Sequence, residues 1–223
     1  MIPISDYPPQ RRTTPYVMLA LVALNTIIFI YETLLGANLN SFLFAFGVVP
    51  FEISHGRDIS PIVPFPVYLT LITSMFLHGG ILHLAGNMLF LWVFGDNVED
   101  SLGHITFLIY YIVCGLAAGL TQVAISPDEQ IPVIGASGAI SGVLAAYLVL
   151  FPRAQVRTLL FIGPFFTLTR ISAFFLIGFW IVLQFAIGFL TLGEAGGGVA
   201  YFAHIGGFVA GLLITYLFRF RRQ

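Results

Sequence analysis

Four polar side chains stand near the ends of apolar segments, where their types and spacing could support nucleophilic chemistry. Ser137 lies in a GASG motif, His204 lies in an AHIGG motif, and His83 precedes Asn87 by four residues. A serine hydroxyl is a weak nucleophile unless a neighbouring base accepts its proton, and histidine is the commonest such base. At this spacing His83 and Asn87 share one helical face, so both could donate hydrogen bonds to an oxyanion.

The composition places these residues in a membrane. The 223-residue chain is 58% hydrophobic and 9% charged, with a mean hydropathy of +0.97, whereas soluble domains carry about 25% charged residues. Polar groups within apolar spans are costly and mark functional sites. The net charge of −1 and the lack of a basic stripe argue against a nucleic-acid partner. Cys114 is the only cysteine, so no intramolecular disulfide is possible and it is expected to pack as a small residue.

Hydropathy predicts an all-α, polytopic membrane protein with a bundle of six transmembrane helices. The expected spans are Val17–Leu35, Gly80–Phe94, Ile105–Ile125, Ile134–Phe151, Ile171–Leu192 and Val199–Leu217, compared with the ~20 residues that cross a bilayer. The segment Gly36–Leu77 is too apolar for a solvated loop and too rich in proline for a span, so it is expected to form a long membrane-interfacial first loop. Thr158–Thr169 is a second interface-like stretch.

The arginines predict the orientation of the bundle. All nine basic residues are arginine. Six spans place only Arg57 on one side, and the other eight on the opposite side: Arg11, Arg12, Arg153, Arg157, Arg170, Arg219, Arg221 and Arg222. By the positive-inside rule, both termini are cytoplasmic, and so is an expected acidic turn with Asp96, Glu99 and Asp100. The expected organisation is a cytoplasmic tail at 1–16, a six-helix domain at 17–217 and a basic cytoplasmic tail at 218–223. The N-terminus shows no cleavable signal or presequence, which favours a bacterial inner membrane protein.

This topology brings the polar groups to a common depth. The even-numbered spans begin at the outer face, and at about 1.5 Å per residue His83, Ser137 and His204 each lie roughly 5–10 Å below the start of a helix. No Asp or Glu lies at that depth in these spans. The prediction is therefore a Ser137–His204 dyad rather than a triad. His83, Asn87 and the Ser137 backbone N–H would form its oxyanion site.

Glycines are expected to bring the catalytic helices together. Gly135 and Gly138 belong to a small-residue stripe on the fourth span, and Gly207 and Gly211 form a GxxxG motif on the sixth. Small residues let helix backbones approach closely in membranes. Such an approach would allow the contact of about 3 Å that a nucleophile and its base need.

Each of these features also has a purely structural interpretation. Small residues in a span more often serve packing, and a single intramembrane histidine is more often an interhelical hydrogen-bond partner. His78, His83 and His204 could suggest a metal site, but no acidic or cysteine ligand accompanies them, so no metal or cofactor is predicted. The common depth of three separate segments favours the catalytic interpretation.

Taken in order, the motifs resemble the rhomboid family of intramembrane serine proteases. They are FLHGGILHLAGNM at 76–88, GDNVEDSLG at 95–103, GASG at 135–138 and AHIGGF at 203–208, and the likeness extends over about 17–217. It implies a six-helix bundle with a water-filled cavity open to the outer face. Ser137 matches the family's nucleophile, His204 its base, and His83 and Asn87 its oxyanion-side residues. Gly135 matches the glycine that opens the serine motif, and the first loop looks like the family's membrane-dipping loop.

Three further positions follow from the resemblance. Trp180 and Gln184 resemble a pair on the fifth helix, which in the family borders lateral substrate access, so they are a possible gate. Many members carry Trp-Arg where this chain has Leu69-Thr70, which implies a different anchor for the first loop. Many also carry a tyrosine, stacked on the histidine, where this chain has Ser141. His204 is then expected to be oriented by an apolar wall or a hydroxyl.

The expected function is that of an intramembrane serine endopeptidase. It would cut transmembrane segments of single-span or polytopic membrane proteins within the lipid bilayer, near the outer face. Because a helical backbone is internally hydrogen-bonded, its substrates should carry small or helix-breaking residues there. The alternative is a catalytically inactive rhomboid-like protein that binds transmembrane clients, although such proteins typically lose the serine or the histidine. A transporter or channel is disfavoured, because no half-helix repeat is apparent and charges within the spans are scarce.

Overall fold

The computed structural model describes residues 1–7, 12–59, 61–192 and 198–220. Residues 193–197, between the expected fifth and sixth spans, and the last three residues of the basic tail lie outside these ranges. The helices are α1 (Tyr16–Leu34), α2 (Leu39–Phe46), α3 (Pro50–His55), α4 (Thr70–Thr73), α5 (Ile81–Leu102), α6 (His104–Ile125), α7 (Ser137–Leu150), α8 (Ala173–Leu190) and α9 (Tyr201–Phe220), and the strands are β1 (Ile2–Tyr7), β2 (Gln155–Ile162) and β3 (Phe165–Ser172).

The helices form the expected polytopic membrane bundle. Among the described residues, α1, α5, α6 and α8 are long and apolar enough to cross a membrane, whereas α7 and α9 are shorter apolar helices. With 14 residues, α7 is about 21 Å long. It can be short because it lies at the centre of the bundle, where every residue from Gly138 to Tyr147 is buried. The prediction of a polytopic membrane bundle of helices is confirmed, although a small sheet is added to it.

Small residues bring α7 and α9 into direct backbone contact. A Cβ added at Gly207 would stand 2.0 Å from the carbonyl oxygen of Gly138, and one at Gly211 would stand 2.6 Å from Cα of Gly142. On its other side Gly142 packs against Cys114, which is buried and free. Close packing of this kind holds helices together in lipid, where the hydrophobic effect does not drive one helix against another.

The first loop consists of short helices rather than a span. Between α1 and α5 lie α2, α3 and α4, with 3₁₀ turns at Gly36–Asn38, Val67–Leu69 and Ser74–Phe76. Its backbone is tied to the loop before α7 by a β-bridge between Val48 and Val133. The hydroxyl of Thr73 donates to the carbonyl of Phe46 at 2.6 Å. This bond supplies an anchor for the loop in a chain that has Leu69-Thr70 in place of Trp-Arg.

The expected acidic turn is wrong, because α5 continues to Leu102 and includes Asp96, Glu99 and Asp100. The helix persists because these carboxylates are used within the fold. The two oxygens of Glu99 accept the backbone N–H groups of Val17 and Met18 at 3.0 and 2.7 Å, which are unpaired donors at the start of α1. Asp100 accepts the backbone N–H of Thr13 at 2.7 Å.

A three-stranded antiparallel sheet, in the order β1-β2-β3, lies at the end of the bundle opposite to the start of α7. No sequence pattern predicted this sheet: the stretch Thr158–Thr169 lies in a hairpin of β2 and β3 rather than in an irregular interface segment. Gln155 pairs with Ser172 and Ile162 with Phe165, while Ile2 of β1 pairs with Leu159. An isolated hairpin is marginal in stability, and this one gains a third strand from the N-terminal segment.

One polar cluster fastens the sheet to the bundle. The carboxylate of Asp6 accepts the Tyr147 hydroxyl at 2.6 Å and the Asn97 side-chain amide at 3.0 Å. Arg170 lies over the ring of Tyr7, 4.5 Å from its centroid. The segment expected as an N-terminal tail therefore packs against α5 and α7.

Candidate active site

A cavity of about 1470 Å³ opens between the starts of α5, α7 and α9 and the loop before α7. The four predicted residues His83, Asn87, Ser137 and His204 all line it. His83 is the third residue of α5, Ser137 the first of α7 and His204 the fourth of α9. Three helices that begin at the same end of the bundle thus deliver polar groups to one place, as their common depth predicted.

Ser137 and His204 are in hydrogen-bond contact. His204 Nε2 lies 2.8 Å from Ser137 Oγ, and the histidine side chain is buried. The packing of the helices brings about this contact. Gly207, one turn beyond His204 on α9, lies against the carbonyl of Gly138 on α7. This is the distance at which a nucleophile can pass its proton to a base.

The other nitrogen of His204 meets α8. Nδ1 lies 2.7 Å from Oε1 of Gln184, and the Gln184 amide nitrogen donates to the carbonyl of Trp180 at 3.5 Å. Because an amide oxygen only accepts, the Nδ1 nitrogen must carry the proton, and Nε2 is free to accept from Ser137. The Trp180 ring lies beside the imidazole, with centroids 5.8 Å apart and planes at 36°.

The expectation that a hydroxyl or an apolar wall orients His204 is therefore wrong in part. Trp180 supplies an aromatic wall, but the hydrogen bond comes from the amide of Gln184. Ser141, which stands where many family members carry tyrosine, donates to the carbonyl of Ser137 at 2.6 Å. Its hydroxyl supports the start of α7.

His83 faces the serine across Gly135. The backbone N–H of Gly79 donates to His83 Nδ1 at 3.4 Å, which places the ring proton of the neutral histidine on Nε2. A Cβ added at Gly135 would stand 2.8 Å from His83 Nε2 and 3.7 Å from Ser137 Oγ. With φ of +125°, this position suits glycine alone. Gly135 was expected inside the fourth span, but α7 begins only at Ser137.

Three hydrogen-bond donors belong to residues that line the cavity holding the serine hydroxyl. One is Nε2 of His83. A second is the amide of Asn87, which donates one proton to the carbonyl of His83 at 3.0 Å and keeps another. The third is the Ser137 backbone N–H, which has no acceptor within the helix because it opens α7. The positive end of a helix dipole lies at the same point, so the arrangement suits a developing negative charge.

Two polar residues that support the site were not predicted from the sequence: Gln122, which is partly buried, and Glu32, which is buried. Oε1 of Gln122 in α6 accepts the N–H of Ala203 at 3.2 Å, next to His204. The carboxylate of Glu32 in α1 accepts the backbone N–H of His78 at 3.2 Å, and the His78 ring packs edge-on against His83 with centroids 5.1 Å apart. Both are polar residues in apolar helices, which is the signal that could have revealed them.

No group of three His, Cys, Asp or Glu side chains converges as a metal site within the parts of the chain that the structure describes. Burial lowers the pKa of His78 to about 4, so its ring is neutral beside His83. The absence of a metal or cofactor stays a prediction.

The fold and the site define a class: a polytopic membrane protein with a serine–histidine pair in a polar cavity at one end of its helices. Residues 66–221 match the Rhomboid domain family. This match covers more than half of the chain, and the chain belongs to the rhomboid family. The resemblance noted in the sequence is confirmed.

Three relatives illustrate the range of the family. The chain is 31% identical over 153 residues to RHOMBOID-like protein 5 of Arabidopsis thaliana, a match that covers 69% of this chain and 45% of that protein. It is 44% identical over 78 residues to Rhomboid protease GluP of Bacillus subtilis, covering 35% of this chain and 15% of that protein. It is also 38% identical over 80 residues to Inactive rhomboid protein 1 of Drosophila melanogaster, covering 36% and 6%. The matches span less than half the length of these curated relatives.

Proposed function

We propose that this chain is an intramembrane serine endopeptidase in which Ser137 is the nucleophile and His204 the general base. The contact of 2.8 Å between Ser137 Oγ and His204 Nε2 carries the proposal. It lies in a cavity that also holds His83 and Asn87. The family includes a protein named as a protease, which agrees with this chemistry.

The reaction follows from the positions of the protons. Ser137 Oγ attacks the carbonyl carbon of the substrate peptide bond while its proton moves to His204 Nε2. The negative charge on the former carbonyl oxygen is stabilised by donors from His83, Asn87 and the Ser137 backbone. His204 then gives its proton to the leaving amine, and the C–N bond breaks. A water molecule, deprotonated by His204, hydrolyses the acyl-enzyme and releases Ser137.

The substrates proposed are transmembrane segments of single-span or polytopic membrane proteins. Since Ser137 lies at the first turn of α7 in a bundle embedded in lipid, a substrate helix must unwind locally to present a peptide bond. Segments with glycine, proline or other small residues near one membrane face should therefore be cut faster than leucine-rich ones.

The chain is an integral membrane protein, and its orientation is part of the proposal. We assign residues 17–217 as the protease domain between cytoplasmic segments at 1–16 and 218–223, with the cavity opening to the outer face. The arginine distribution supports this orientation, because Arg153, Arg157 and Arg170 lie at the end of the bundle opposite to Ser137. A bacterial inner membrane is the proposed location.

A second candidate function is the binding of transmembrane clients without cleavage. The similarity to Inactive rhomboid protein 1 favours it. Against it stands the retention of both groups of the dyad in hydrogen-bond contact.

Cleavage of a single-span reporter in liposomes tests the proposal. We expect the wild type to cut a reporter with a glycine-interrupted helix, and we expect Ser137→Ala to abolish cleavage and labelling by a fluorophosphonate probe. Ser126→Ala is the matched control, because Ser126 lines the same cavity and has no histidine partner among the interactions described. A folded wild type that neither cuts nor becomes labelled would support the client-binding function instead.

A further inference from the structure

Gln184 is an isolated polar residue in an apolar helix. The sequence of α8 is AFFLIGFWIVLQFAIGFL, in which Gln184 is the only residue with an amide side chain. Gln184 lies on the buried stripe of that helix with Ile181 and Gly188, and only 8% of its surface is exposed. An uncompensated amide in a membrane helix is costly, so a specific partner is expected for it.

That partner is the base of the dyad. Oε1 of Gln184 lies 2.7 Å from His204 Nδ1, on the side of the ring away from Ser137. The amide nitrogen is directed the other way, to the carbonyl of Trp180 at 3.5 Å. This second contact decides which end of the amide faces the histidine. Rotated by half a turn, the amide would present donors to Nδ1 and stabilise the tautomer that cannot accept from serine.

We propose that Gln184 is the positioning residue of the catalytic base, completing a Ser137–His204–Gln184 arrangement in place of the predicted dyad. This inference rests on the proposed function. Its amide oxygen holds the proton on Nδ1 and leaves the Nε2 lone pair directed at Ser137. In serine proteases with a triad, a carboxylate fills this role, and a partner that favours the wrong tautomer slows catalysis by about 10⁴-fold. A neutral amide acts in the same geometry without bringing a charge into the membrane.

The same contact serves both protonation states of His204. When Nε2 takes the serine proton, Nδ1 keeps its own proton, and the Gln184 oxygen continues to accept it. The partial negative charge of that oxygen favours the imidazolium that forms as the hydroxyl attacks. No rearrangement of Gln184 is needed during the transfer, which is the condition for preorganised stabilisation.

The position of α8 relative to α9 sets this distance. One turn beyond Gln184, a Cβ added at Gly188 would stand 3.1 Å from Cβ of Tyr201. Tyr201 is the first residue of α9 and precedes His204 by three residues. A larger side chain at Gly188 would separate the two helices next to the Gln184–His204 bond. The orientation of the base therefore depends on close packing of these two helices.

The test compares Gln184→Leu with Gln184→Glu in the full-length protein in liposomes. Leucine has a similar size and no acceptor, so we expect kcat to fall on the order of 10²-fold while KM stays within about twofold. Glutamate keeps an acceptor for Nδ1, so its kcat should return to within about tenfold of the wild type. Phe185→Leu, on the exposed side of α8, is the matched control and should leave kcat unchanged. Fluorophosphonate labelling of Ser137 should slow in parallel with kcat.

The outcomes separate this inference from the proposed function. If Ser137→Ala cuts the reporter as fast as the wild type, the proposed function fails. If Ser137→Ala is inactive while Gln184→Leu keeps the wild-type kcat, only the role of Gln184 fails. A loss in the leucine variant that glutamate does not restore, together with a lower melting temperature, would assign Gln184 to packing and overturn the proposal.

A double-mutant cycle provides a second, independent reading. Gly188→Leu alone should lower kcat on the order of tenfold by lengthening the Gln184–His204 bond, and it should have little further effect in a Gln184→Leu background. Additive losses in the double variant would show that Gly188 acts on something other than this bond, and would contradict the dependence on helix packing.

Discussion

Replacing Gly207 with alanine should separate the two helices that carry the dyad. The added Cβ would stand 2.0 Å from the carbonyl oxygen of Gly138, and real Cβ atoms essentially never approach within 3.0 Å of another atom. The obstacle is backbone on α7 rather than the flexible end of a side chain. Neither glycine has a side chain that could move aside, so the two helices must separate by about 1 Å at this point.

The movement acts on Ser137 and His204, the proposed dyad. His204 lies one turn before Gly207 on α9, and Ser137 directly precedes Gly138 on α7. If the helices move as rigid bodies, the distance of 2.8 Å between Nε2 and Oγ grows to about 3.8 Å, beyond hydrogen-bond range. A misplacement of about 1 Å at a catalytic site can cost roughly 10²-fold in rate. Crowding of a packed core also costs about 1–3 kcal/mol of stability.

The assay measures kcat for reporter cleavage per folded molecule in detergent. The folded fraction is taken from thermal melts in that detergent. Gly178→Ala is the matched control, because a Cβ there meets nothing within 4 Å, and it should keep full activity. A Gly207→Ala protein that melts normally and cuts at the wild-type rate would refute the close backbone contact as the basis of the site. A folded variant with a normal KM and a kcat reduced roughly 10²-fold would support it.

Three further predictions concern other parts of the molecule. Asn87→Ala removes one donor from the proposed oxyanion site, so steady-state kinetics should show kcat lower by about 10²–10³-fold at unchanged KM, and an unchanged kcat would contradict that role. Glu99→Ala leaves two backbone N–H groups at the start of α1 without acceptors, so chemical denaturation should show a loss of about 1–3 kcal/mol, with kcat per folded molecule preserved. Burial raises the pKa of Asp6 from 3.8 to about 6, so the folded state binds its proton more tightly than the unfolded chain. The contribution of Asp6 to stability should then be greatest below about pH 4 and be lost as the pH rises through 6, and Asp6→Asn should make the melting temperature less dependent on pH over that range. A variant that keeps the wild-type slope would exclude Asp6 as its source.

Much of the fold was predictable because long apolar stretches of sequence indicate membrane-spanning helices. The expected first span differs from α1 by one residue at each end, and the expected third span differs from α6 by one residue at its start. The meeting of Ser137 with His204 was predictable for a related reason. Spans of predicted direction place residues at predicted depths, and three polar groups at one depth indicate a site that faces the interior of the bundle. The pair of glycines on α9 indicated which helix would approach α7.

The sheet was not predictable from the same signals. Its central strand pairs with β1, which lies about 150 residues away in sequence, and no local pattern reports such a pairing. Val156 and Thr158 are buried where the sheet packs on the bundle, and the apolar composition of this stretch resembles that of a membrane-interfacial segment. The continuation of α5 was missed for a similar reason: the carboxylate of Glu99 is satisfied by the start of α1, which is distant in sequence.

The proposed role of Gln184 could not be predicted from the sequence, because the sequence does not show which partner a polar residue in an apolar helix contacts. Polar side chains recur in the apolar helices, but they divide into two groups once their partners are known. Asn25 and Thr26 in α1 donate to carbonyls four residues earlier in their own helix, and these bonds do not join two elements. Gln184 and Gln122 instead reach across to α9, one to His204 and the other to the backbone beside it. A polar residue that is satisfied within its own helix can move with that helix, whereas one that bridges two helices fixes their relative position. The bridging residues converge on the proposed base, so the geometry of the site depends on the contacts between α6, α8 and α9 as well as on the serine and histidine themselves.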